Sequence, residues 1–495
     1  MSGSINSALY TAMSSLNLSQ QLADVIAGNI ANASTPGYVD QSLPQLEQVS
    51  GSLGTGVMAG PLQQMSNEAA TNAANQTAGS QAYSQAMVNG LTSYTQALGQ
   101  PSDSTSLPSE LSAFNTALTS LSASPGSSSL QTGAVTAAQN LVGTFNSLSS
   151  AISGAREQAD ENIEAGVTTV NQTLIQLAQN QSAMQQAAAQ GEPTASYLDT
   201  QGQLLSTLSQ QVPIDVYQQT NSGIVVTTDG GTTLFDGTVH QLSFTPTANI
   251  PADMQETANP SQGFIGGLSA VTVGGEPIAI SQNGSIAANL QLRDVTLPGF
   301  EQQLDQVASN TVVAFQQADP TVGSGQTGIF TDNGAAVESG EDATPIAGMA
   351  ANIALNASVD PSQGGEAWRI QAGAQATTQG ETGDNTTVLA FISALNQTQS
   401  YNTTSGLPGS MTLTDATSQV AGLQQSTLTN WTSVNTSRTT QAQAAQTALS
   451  NATGVNIDNE MQKLLVVQET YAATTQVIQA ASSMLNQLIQ AAGPY

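Results

Sequence analysis

The amino-terminal segment carries a narrow apolar stripe with a seven-residue repeat. Its positions are spaced four and three apart, as on one face of an α-helix, and only Ser19 is polar. They are Ile5, Leu9, Ala12, Leu16, Ser19, Ala23, Ile26 and Ile30. Thr35 precedes a proline and is pushed out of helical geometry, while Pro36 and Gly37 suit the central positions of a type II turn. The pattern predicts one amphipathic helix that ends by about Ser34.

The carboxyl-terminal segment repeats this pattern. Its stripe is spaced three and four apart with Thr474 as the clear exception, and it predicts a helix that runs almost to the end of the sequence. The stripe comprises Leu464, Val467, Tyr471, Thr474, Ile478, Ala481, Leu485 and Leu488. A glycine turn at Gly454 precedes it, and Asn456 or Asp458 is suited to cap the helix.

Two interpretations of these stripes are open. A single amphipathic helix most often packs on a globular core. A strict heptad repeat fits the seam of a coiled coil better than a broad core face, and the ends of a sequence usually fray unless they are held. Alanines at positions 12, 23 and 481 make the seam thin, so one helix pair hardly offsets the entropy of ordering both segments. We expect ends that are mobile in the monomer and order when neighbouring subunits add their helices.

The large apolar members of both stripes form the predicted assembly seam. They are Ile5, Leu9, Leu16, Ile26 and Ile30 in the first helix, with Leu464, Val467, Tyr471, Ile478, Leu485 and Leu488 in the second.

The interior begins with helical sequence. Between Glu110 and Ala189 the apolar spacing predicts two long helices joined near Pro125, and another helix follows from Tyr197 to Leu208. Helix is expected again from Ile286 to Gln316 with an interruption at Pro298-Gly299, from Thr387 to Leu395, and from about Thr414 to Ser450.

Short β-branched and aromatic runs separate these helical regions. Runs between Ile214 and Phe244, divided by Asp-Gly turns, predict a small antiparallel β domain, and strand-like runs resume between Ala270 and Ile280. The Gly-rich and Asp-rich stretch from about Asp319 to Gly383 is typical of strands and loops, including Trp368-Arg369-Ile370. The predicted order is therefore helices, then strands and loops, then helices again. Such a path leads away from the first helix and back to it, so we expect both ends of the chain to lie together.

Composition narrows the possible partners. The sequence has 34 acidic and 5 basic residues, for a formal net charge of −29. Nucleic acid and anionic lipid are bound by clustered Lys and Arg, which are absent, so neither is an expected partner. No apolar run is long enough for membrane insertion. The start, MSGSINSALY, lacks the features of a cleaved secretory signal, so a cytoplasmic protein or the cargo of a signal-less export machine is expected.

The sequence offers no candidate catalytic, cofactor-binding or metal-binding residues. There is no cysteine, and the single histidine, His240, lies in an alternating strand pattern with no nearby carboxylate pair, which favours a structural role. The segment from Gly323 to Gly328 matches a dinucleotide fingerprint formally, but no strand clearly precedes it and no helix follows, so we interpret it as a turn. The chain is therefore not expected to be an enzyme.

Specific motifs resemble those of the flagellar axial family of rod, hook and junction proteins. The turn motif consists of Asn29, Asn32, Thr35, Pro36, Gly37 and Tyr38. The tail Gly454-Val455-Asn456-Ile457-Asp458, followed by Glu460-Met461, Gln468, Tyr471 and Ala472, is similar to the hook-associated junction members. Interior agreement comes from Leu292-Arg293-Asp294 with Leu304-Asp305, from Gly383-Asp384-Asn385, and from the paired helices between Leu111 and Ala189.

The resemblance implies a structural subunit that joins hook to filament. It implies export without a cleaved signal, an extracellular place in the bacterial flagellum, and terminal helices paired as a coiled coil. The implied partners are hook protein subunits, a second junction protein, copies of the chain in a ring, and a cytoplasmic export chaperone on the carboxyl-terminal helix. A hook or distal rod subunit is the alternative within the family, and a secreted enzyme on an axial scaffold is a second alternative. The family's basic residue after the turn motif is replaced here by Val39-Asp40.

The expected fold is a multidomain α+β protein with a terminal coiled coil, a long-helix bundle and inserted antiparallel β domains. The predicted units are a terminal domain (1–35 with 455–495), a helical domain (36–210 with 286–318 and 385–454), a β domain (211–285) and an outer β and loop domain (319–384).

Overall fold

The computed structural model describes residues 2–35, 37–50, 53–219, 223–254, 268–337 and 346–493. Helices dominate the described chain. They are α1 (Ser2–Asn32), α2 (Glu68–Leu98), α3 (Leu107–Ala123), α4 (Ser128–Gln190), α5 (Ala195–Gln211), α6 (Ser285–Gln291), α7 (Leu297–Ala318), α8 (Met349–Asn352), α9 (Arg369–Ala372), α10 (Thr386–Asn396), α11 (Leu413–Thr453) and α12 (Ile457–Ala492). A π-helical turn, Leu292–Thr296, joins α6 to α7, and short 3₁₀ turns span Pro361–Gln363 and Thr403–Ser405.

The strands form small antiparallel sheets. They are β1 (Gln41–Ser42), β2 (Gln45–Ser50), β3 (Leu53–Ala59), β4 (Gln63–Gln64), β5 (Ile214–Gln218), β6 (Ile224–Thr228), β7 (Thr233–Phe235), β8 (Leu242–Ser243), β9 (Thr272–Val273), β10 (Glu276–Pro277), β11 (Phe330–Asp332), β12 (Ile353–Leu355), β13 (Thr398–Ser400) and β14 (Ser410–Thr412). Strand order is β5-β6-β7 and β10-β9-β8 in the three-stranded sheets, and β1-β4, β2-β3, β11-β12 and β13-β14 in the pairs.

Helices near the start of the chain pair with helices near its end. α1 packs against α12, and α2 packs against α11. The second pair is antiparallel, because Arg438 donates a 3.0 Å hydrogen bond to Ser80 O near one end and Gln425 donates a 2.9 Å bond to Gly99 O near the other. A backbone bond of 2.8 Å from Asp40 N to Thr453 O ties the two pairs together.

The main hydrophobic core lies among α2, α3, α4, α7, α10 and α11. Four buried phenylalanine rings meet at its centre, with Phe315 lying 5.5 Å from Phe114, 5.1 Å from Phe330 and 5.3 Å from Phe391 between ring centroids. A second core lies where α4 and α5 meet β6 and β7, and it includes Val170, Leu208 and Val226. Neither core contains a residue of α1 or α12.

A buried ion cluster fastens the β region to the helical body. Arg293 donates to Asp160 at 2.5 Å, to Asp294 at 2.6 and 2.9 Å, and to Ser269 O at 3.1 Å. Arg156 donates to Arg293 O at 3.0 Å and to Met254 O at 2.8 Å. Because these partners come from α4, the π turn and the flanking loops, the cluster joins elements that are distant in sequence.

A buried carboxyl group lies deeper in the helical body. Glu301 of α7 is fully buried, accepts a hydrogen bond from Ser149 of α4, and keeps its Oε2 without a hydrogen-bond partner among the described residues. Burial, and then the nearby charge of Asp305, raise the pKa of Glu301 to about 8. The group is therefore predominantly protonated at neutral pH.

Several predicted elements appear where the sequence placed them. α3 and α4 form the expected helical hairpin, turning at Pro125-Gly126, and α10 and α11 match the predicted helices within two residues at their starts. The predicted break at Pro298 is wrong, because the helical run continues there. Leu297 N donates to Leu292 O in the wider π turn, and Pro298 lies in the first turn of α7, where its missing N–H is tolerated.

Two local assignments differ from the sequence prediction. Between residues 41 and 64, inside the predicted helical range, the described part of the chain forms β1 to β4 instead. The sequence predicts strand or loop at Trp368-Arg369-Ile370, yet Arg369 and Ile370 begin the short helix α9. A run of three apolar or long side chains does not separate a strand from one helical turn.

Candidate assembly interface

α1 and α12 form an antiparallel pair. Asn29 Nδ2 lies 3.0 Å from Glu460 Oε2, and Ser15 Oγ lies 3.4 Å from Thr474 Oγ1. From the first contact to the second, the chain moves fourteen residues back along α1 and fourteen residues forward along α12. The start of α1 therefore lies beside the end of α12. The two ends of the sequence therefore share one helical pair, as the stripes predict.

The centre of the seam is small and polar. Ser19 and Thr474, the polar exceptions in the two stripes, are buried, as are Ala12 and Ala481. Small side chains let two helix backbones approach closely, but they bury little apolar area. These four small residues therefore add little apolar burial to the centre of the seam.

The predicted seam residues divide into three groups by burial. Ile26 is buried, and Tyr471 and Leu488 are exposed, at 42% and 38%. The others are half-buried: Ile5, Leu9, Leu16, Ile30, Leu464, Val467, Ile478 and Leu485. The half-buried residues keep part of their apolar surface accessible in a single chain.

Large apolar side chains project from the outer faces of the pair. More than half of the exposed large apolar side chains of the described residues lie on α1 and α12. They are Tyr10, Met13, Ile457, Met461, Leu465, Val466, Tyr471, Val477, Met484, Leu488 and Ile489. A concentration of exposed large apolar side chains on one helix pair is typical of an interaction surface.

Asn29 is the centre of a buried hydrogen-bond network. Its side chain is fully buried, and Nδ2 lies 2.8 Å from Asp40 Oδ1, 2.8 Å from Gln41 O and 3.0 Å from Glu460 Oε2. Oδ1 accepts from Tyr38 OH at 3.0 Å and from Gln41 N at 3.2 Å. One asparagine thus connects the first helix, the following loop and the last helix.

Charged groups surround this asparagine. Lys463 donates a hydrogen bond to Glu460, and its Nζ lies 3.8 Å from Asp40 Oδ2. Burial raises the pKa of Asp40, an effect that Lys463 partly offsets. Burial acts to lower the pKa of Lys463, but its bond to Glu460 and the charge of Asp40 outweigh this, so that pKa is raised. Burial, followed by the charge of Asp199, raises the pKa of Tyr38.

The turn after α1 has the predicted geometry where it is described. Gly37 has φ of +80°, and Tyr38 N donates to Thr35 O at 3.1 Å, as in a type II turn. Asn32 Nδ2 donates to Gly28 O at 2.9 Å. Pro36 lies outside the described residues. The turn aims Tyr38 and Asp40 back at Asn29.

The hairpin of β2 and β3 packs on the outer side of α1. Val57 N donates to Ser14 Oγ at 3.2 Å, and Thr11 Oγ1 donates to Thr55 O at 3.3 Å. A Cβ on Gly56 would lie 2.4 Å from Ser14 Oγ, so only glycine fits this approach. The hairpin exposes the cross-strand pair Leu46 and Met58, which the sequence patterns did not reveal.

Other candidate sites offer little chemistry. His240 Nε2 lies 3.2 Å from Asp236 Oδ1, so a single carboxylate does lie beside the histidine, and both groups are well exposed. Gly323 N donates to the Gln326 side chain and Gln326 N donates to Gly323 O, which makes this segment a closed turn. The described residues contain no group of three or more His, Asp or Glu side chains suited to a metal ion. Nor does any described helix have the length and apolarity to cross a bilayer.

Three family models match the chain in order. Residues 9–38 match the flagella basal body rod protein, residues 91–329 match the helical domain of the flagellar hook-associated protein FlgK, and residues 445–491 match the carboxyl-terminal region of the flagellar basal body rod FlgEFG proteins. Together these matches support a FlgK-type hook-associated protein. The two terminal matches fall on α1 with its turn and on the end of α11 with α12, and the FlgK-type helical match covers α3 to α7.

A FlgK-type structure is also similar to this chain. It is the flagellar hook junction protein FlgK from Burkholderia pseudomallei, with 19% sequence identity and a TM-score of 0.43. The similarity covers 52% of this chain and 46% of that one, so it spans about half the length of the relative. No curated protein sequence matches the chain.

Proposed function

We propose that this chain is a structural subunit that joins the flagellar hook to the filament and assembles through its terminal helix pair. The observation that supports this proposal most directly is that the hydrophobic cores and the exposed apolar side chains of the terminal helices belong to different parts of the fold. Both hydrophobic cores lie in the body, whereas α1 and α12 lie outside them and expose many large apolar side chains. A segment that contributes nothing to the internal cores but presents apolar surface is suited to bind neighbouring subunits.

The helical hairpin favours a junction subunit over a hook or distal rod subunit. The α3 and α4 hairpin, with α4 running from Ser128 to Gln190, lies inside the match to the hook-associated helical domain. The turn after α1 and the terminal helices are shared with rod proteins and do not discriminate. The matched families are structural flagellar families, which leaves the enzyme alternative without support.

The proposed partners follow the two ends of the chain. Hook subunits, a second junction protein and copies of this chain in a ring contact the terminal pair, which supercoils with its neighbours. A cytoplasmic export chaperone covers the apolar row of α12 before export, and the chain leaves the cell without a cleaved signal. The exposed side chains of Val466, Val477 and Met484, spaced eleven and seven residues apart, share one face of α12 and give a chaperone an apolar strip.

Assembly is proposed to complete the ordering of the pair. The seam centre is small and polar, so the pair opens far more readily than the body and passes a narrow channel as unpaired segments. Neighbouring subunits then bury the outer apolar faces, and binding to the paired form stabilises it.

The experiment is a deletion of the gene for this chain, followed by electron microscopy of the cell surface. We expect hooks without filaments, filament attachment restored by the full chain, and labelled chain at the distal end of the hook. A double substitution of exposed residues on the outer face of α12, Val477→Asp with Met484→Asp, should fail to restore filaments, whereas Gln443→Asp on the exposed face of α11 should restore them. Cells with normal filaments and no copy of the chain would show that the proposed function is wrong.

A further inference from the structure

The chain carries few charges, and almost none of them are basic. Charged side chains make up 8% of its residues, against about 25% in an average soluble protein. It has five Lys and Arg and one His, whereas a chain of this length and average composition has about 60 Lys and Arg. The protein is therefore strongly negative at neutral pH, and its side chains can never make it strongly positive.

This composition changes the effect of acid on the fold. Acid unfolds proteins because protonated carboxyls leave the basic groups unbalanced, and because carboxylates bound in the fold lose their charge. Self-repulsion grows with the square of the net charge, so six positive charges repel each other about one twentieth as strongly as the net charge of −29. The larger electrostatic cost thus falls on the protein at neutral pH.

These observations point to the medium in which the protein works. We propose that this fold is suited to an acidic medium, in which it is more stable than at neutral pH. The net charge falls from −29 at pH 7 to zero near an isoelectric point of about 4.1. The self-repulsion of the folded chain disappears over the same interval. This property belongs to the single chain and is independent of how its subunits assemble.

The surface arginines keep partners that acid does not remove. The guanidinium of Arg438 lies 5.5 Å from the ring centroid of Tyr83 and 6.0 Å from that of Trp431. Arg369 donates a 2.8 Å hydrogen bond to Ala374 O. Aromatic rings and backbone carbonyls do not titrate in acid, so these contacts persist when the carboxylates are protonated.

The buried ion cluster also contains acceptors that do not titrate. Arg293 donates to Asp160, Asp294 and Ser269 O, and Arg156 donates to two backbone carbonyls. Burial, opposed by the bond and charge of Arg293, raises the pKa of Asp294, so this carboxyl takes up a proton readily in the folded chain. A neutral carboxyl still offers its carbonyl oxygen. Acid therefore weakens the cluster but leaves both guanidinium groups with acceptors.

The buried carboxyl of Glu301 stabilises the fold as the pH falls. It accepts a hydrogen bond from Ser149 of α4 and lies near Asp305, Arg156 and Tyr94. Burial, and then the charge of Asp305, raise its pKa to about 8 from an ordinary value of 4.5. The folded chain binds this proton more tightly than the unfolded chain does, so the free energy of unfolding rises from alkaline to mildly acidic pH.

The carboxylates that oppose this trend lie in single turns. Among the described residues a lowered pKa is found at Asp236, Asp360 and Asp384, each of which accepts a hydrogen bond from the backbone amide two positions further on. Burial acts to raise the pKa of Asp360, but its bonds from Ser362 and Gln363 outweigh this. Protonation weakens these turns one by one, whereas the self-repulsion that acid removes acts on the whole chain.

The test is urea unfolding of the full chain at low protein concentration, monitored by circular dichroism, at pH values of about 2.5, 4.5 and 7.5. The midpoint at the middle pH should exceed the midpoint at the highest pH by at least about 0.5 M urea. At the lowest pH the midpoint should still lie above that at the highest. A midpoint at either acidic pH that fails to exceed the midpoint at neutral pH would show that the proposal is wrong.

Two matched variants separate the effect of net charge from that of Glu301. One carries Gln172→Lys, Gln179→Lys, Gln185→Lys, Gln210→Lys and Gln443→Lys, and the other carries Glu at the same five exposed positions of α4, α5 and α11. The lysines should raise the urea midpoint at neutral pH and lower it at the lowest pH, by at least about 0.3 M each.

The glutamates should have the opposite effect at neutral pH. They should lower the midpoint there and leave it unchanged at the lowest pH, where they are uncharged. Lysine and glutamate variants with the same pH profile would show that net charge does not control the stability of this fold, and would overturn the proposal. All of these measurements use the isolated chain, so whether hooks lacking it lose their filaments is judged separately.

Discussion

Asn29 Nδ2 lies 3.0 Å from Glu460 Oε2, although the two residues are 431 positions apart in the sequence. This contact stands at the inner end of the terminal pair, where the apolar seam gives way to polar groups. A buried asparagine opposite a carboxylate specifies register, because any slip of one helix leaves both groups desolvated and unpaired. The relationship explains how a seam of small side chains keeps a defined antiparallel alignment.

Replacing Asn29 with Ala should loosen α12 selectively. The substitution removes donors to Asp40 and Glu460 and leaves these carboxylates without the amide, a loss of roughly 2–4 kcal/mol in the local stability of the pair. Hydrogen exchange of residues 457–492 should accelerate by at least about tenfold, while exchange in α4 stays unchanged.

Asn17→Ala is the matched control, since Asn17 is exposed on the same helix. Its effect should stay within about 0.5 kcal/mol. Equal acceleration in both variants would show that Asn29 does not hold the register. If α12 of the wild type is as protected as the body, the ends are locked in the free chain and the proposed opening of the pair is wrong.

Replacing one arginine of the buried ion cluster should lower the free energy of unfolding strongly. Arg293→Met leaves Asp160 and Asp294 buried without their guanidinium partner, which should cost roughly 3–5 kcal/mol of unfolding free energy. Arg369→Met removes a half-buried arginine that donates to a single carbonyl, Ala374 O, and should cost about 1 kcal/mol. Urea unfolding, monitored by circular dichroism, measures the stability of both variants. Similar unfolding midpoints for the two variants would contradict the role assigned to the cluster.

Glu301 predicts a loss of stability at alkaline pH. Its folded-state pKa of about 8 lies above the ordinary value of 4.5, so the folded protein holds a proton that the unfolded chain releases. The stabilising contribution is complete below the ordinary pKa and is lost as pH rises through about 8. Between pH 7 and 9 the wild type should lose roughly 1 kcal/mol, read from thermal melts.

Glu301→Gln supplies the control for this pH dependence. The amide keeps an acceptor for Ser149 and cannot ionise, so the variant should lose little stability over the same range. A wild type and a variant with parallel pH profiles would assign the alkaline loss to other groups.

The terminal helices could be predicted because each carries its own signal. The heptad stripes set the faces, the turn at Gly37 sets the end of α1, and Asn456 caps α12 with its side chain accepting from Asn459 N. These are local features of backbone geometry and periodicity, and they need no tertiary information.

The polar centre of the interface could not be predicted in this way. Ser19 and Thr474 interrupt an apolar pattern in the sequence, yet both are buried, and Thr474 Oγ1 lies 3.4 Å from Ser15 Oγ of the partner helix. The sequence identifies Asn29 only as part of a motif, since its partners Asp40 and Glu460 become neighbours only when the two ends of the chain pair. The sequence pattern does not indicate the hairpin of β2 and β3, because the hairpin is largely exposed and its backbone groups bond to side chains of α1.

Removing either end should leave a folded body that no longer assembles. Variants that lack residues up to Ala33, or from Val455 onward, retain every residue of both hydrophobic cores. We therefore expect a soluble monomer with helical and β circular dichroism, a melting temperature within a few degrees of the full chain, and no attachment to hooks in deletion cells. Each truncation also uncovers the apolar face of the remaining terminal helix, so the variant that lacks both ends is the cleaner measure of body stability. If the body unfolds when either end is lost, the terminal helices belong to its cooperative core, and their exposed faces serve stability rather than subunit contact.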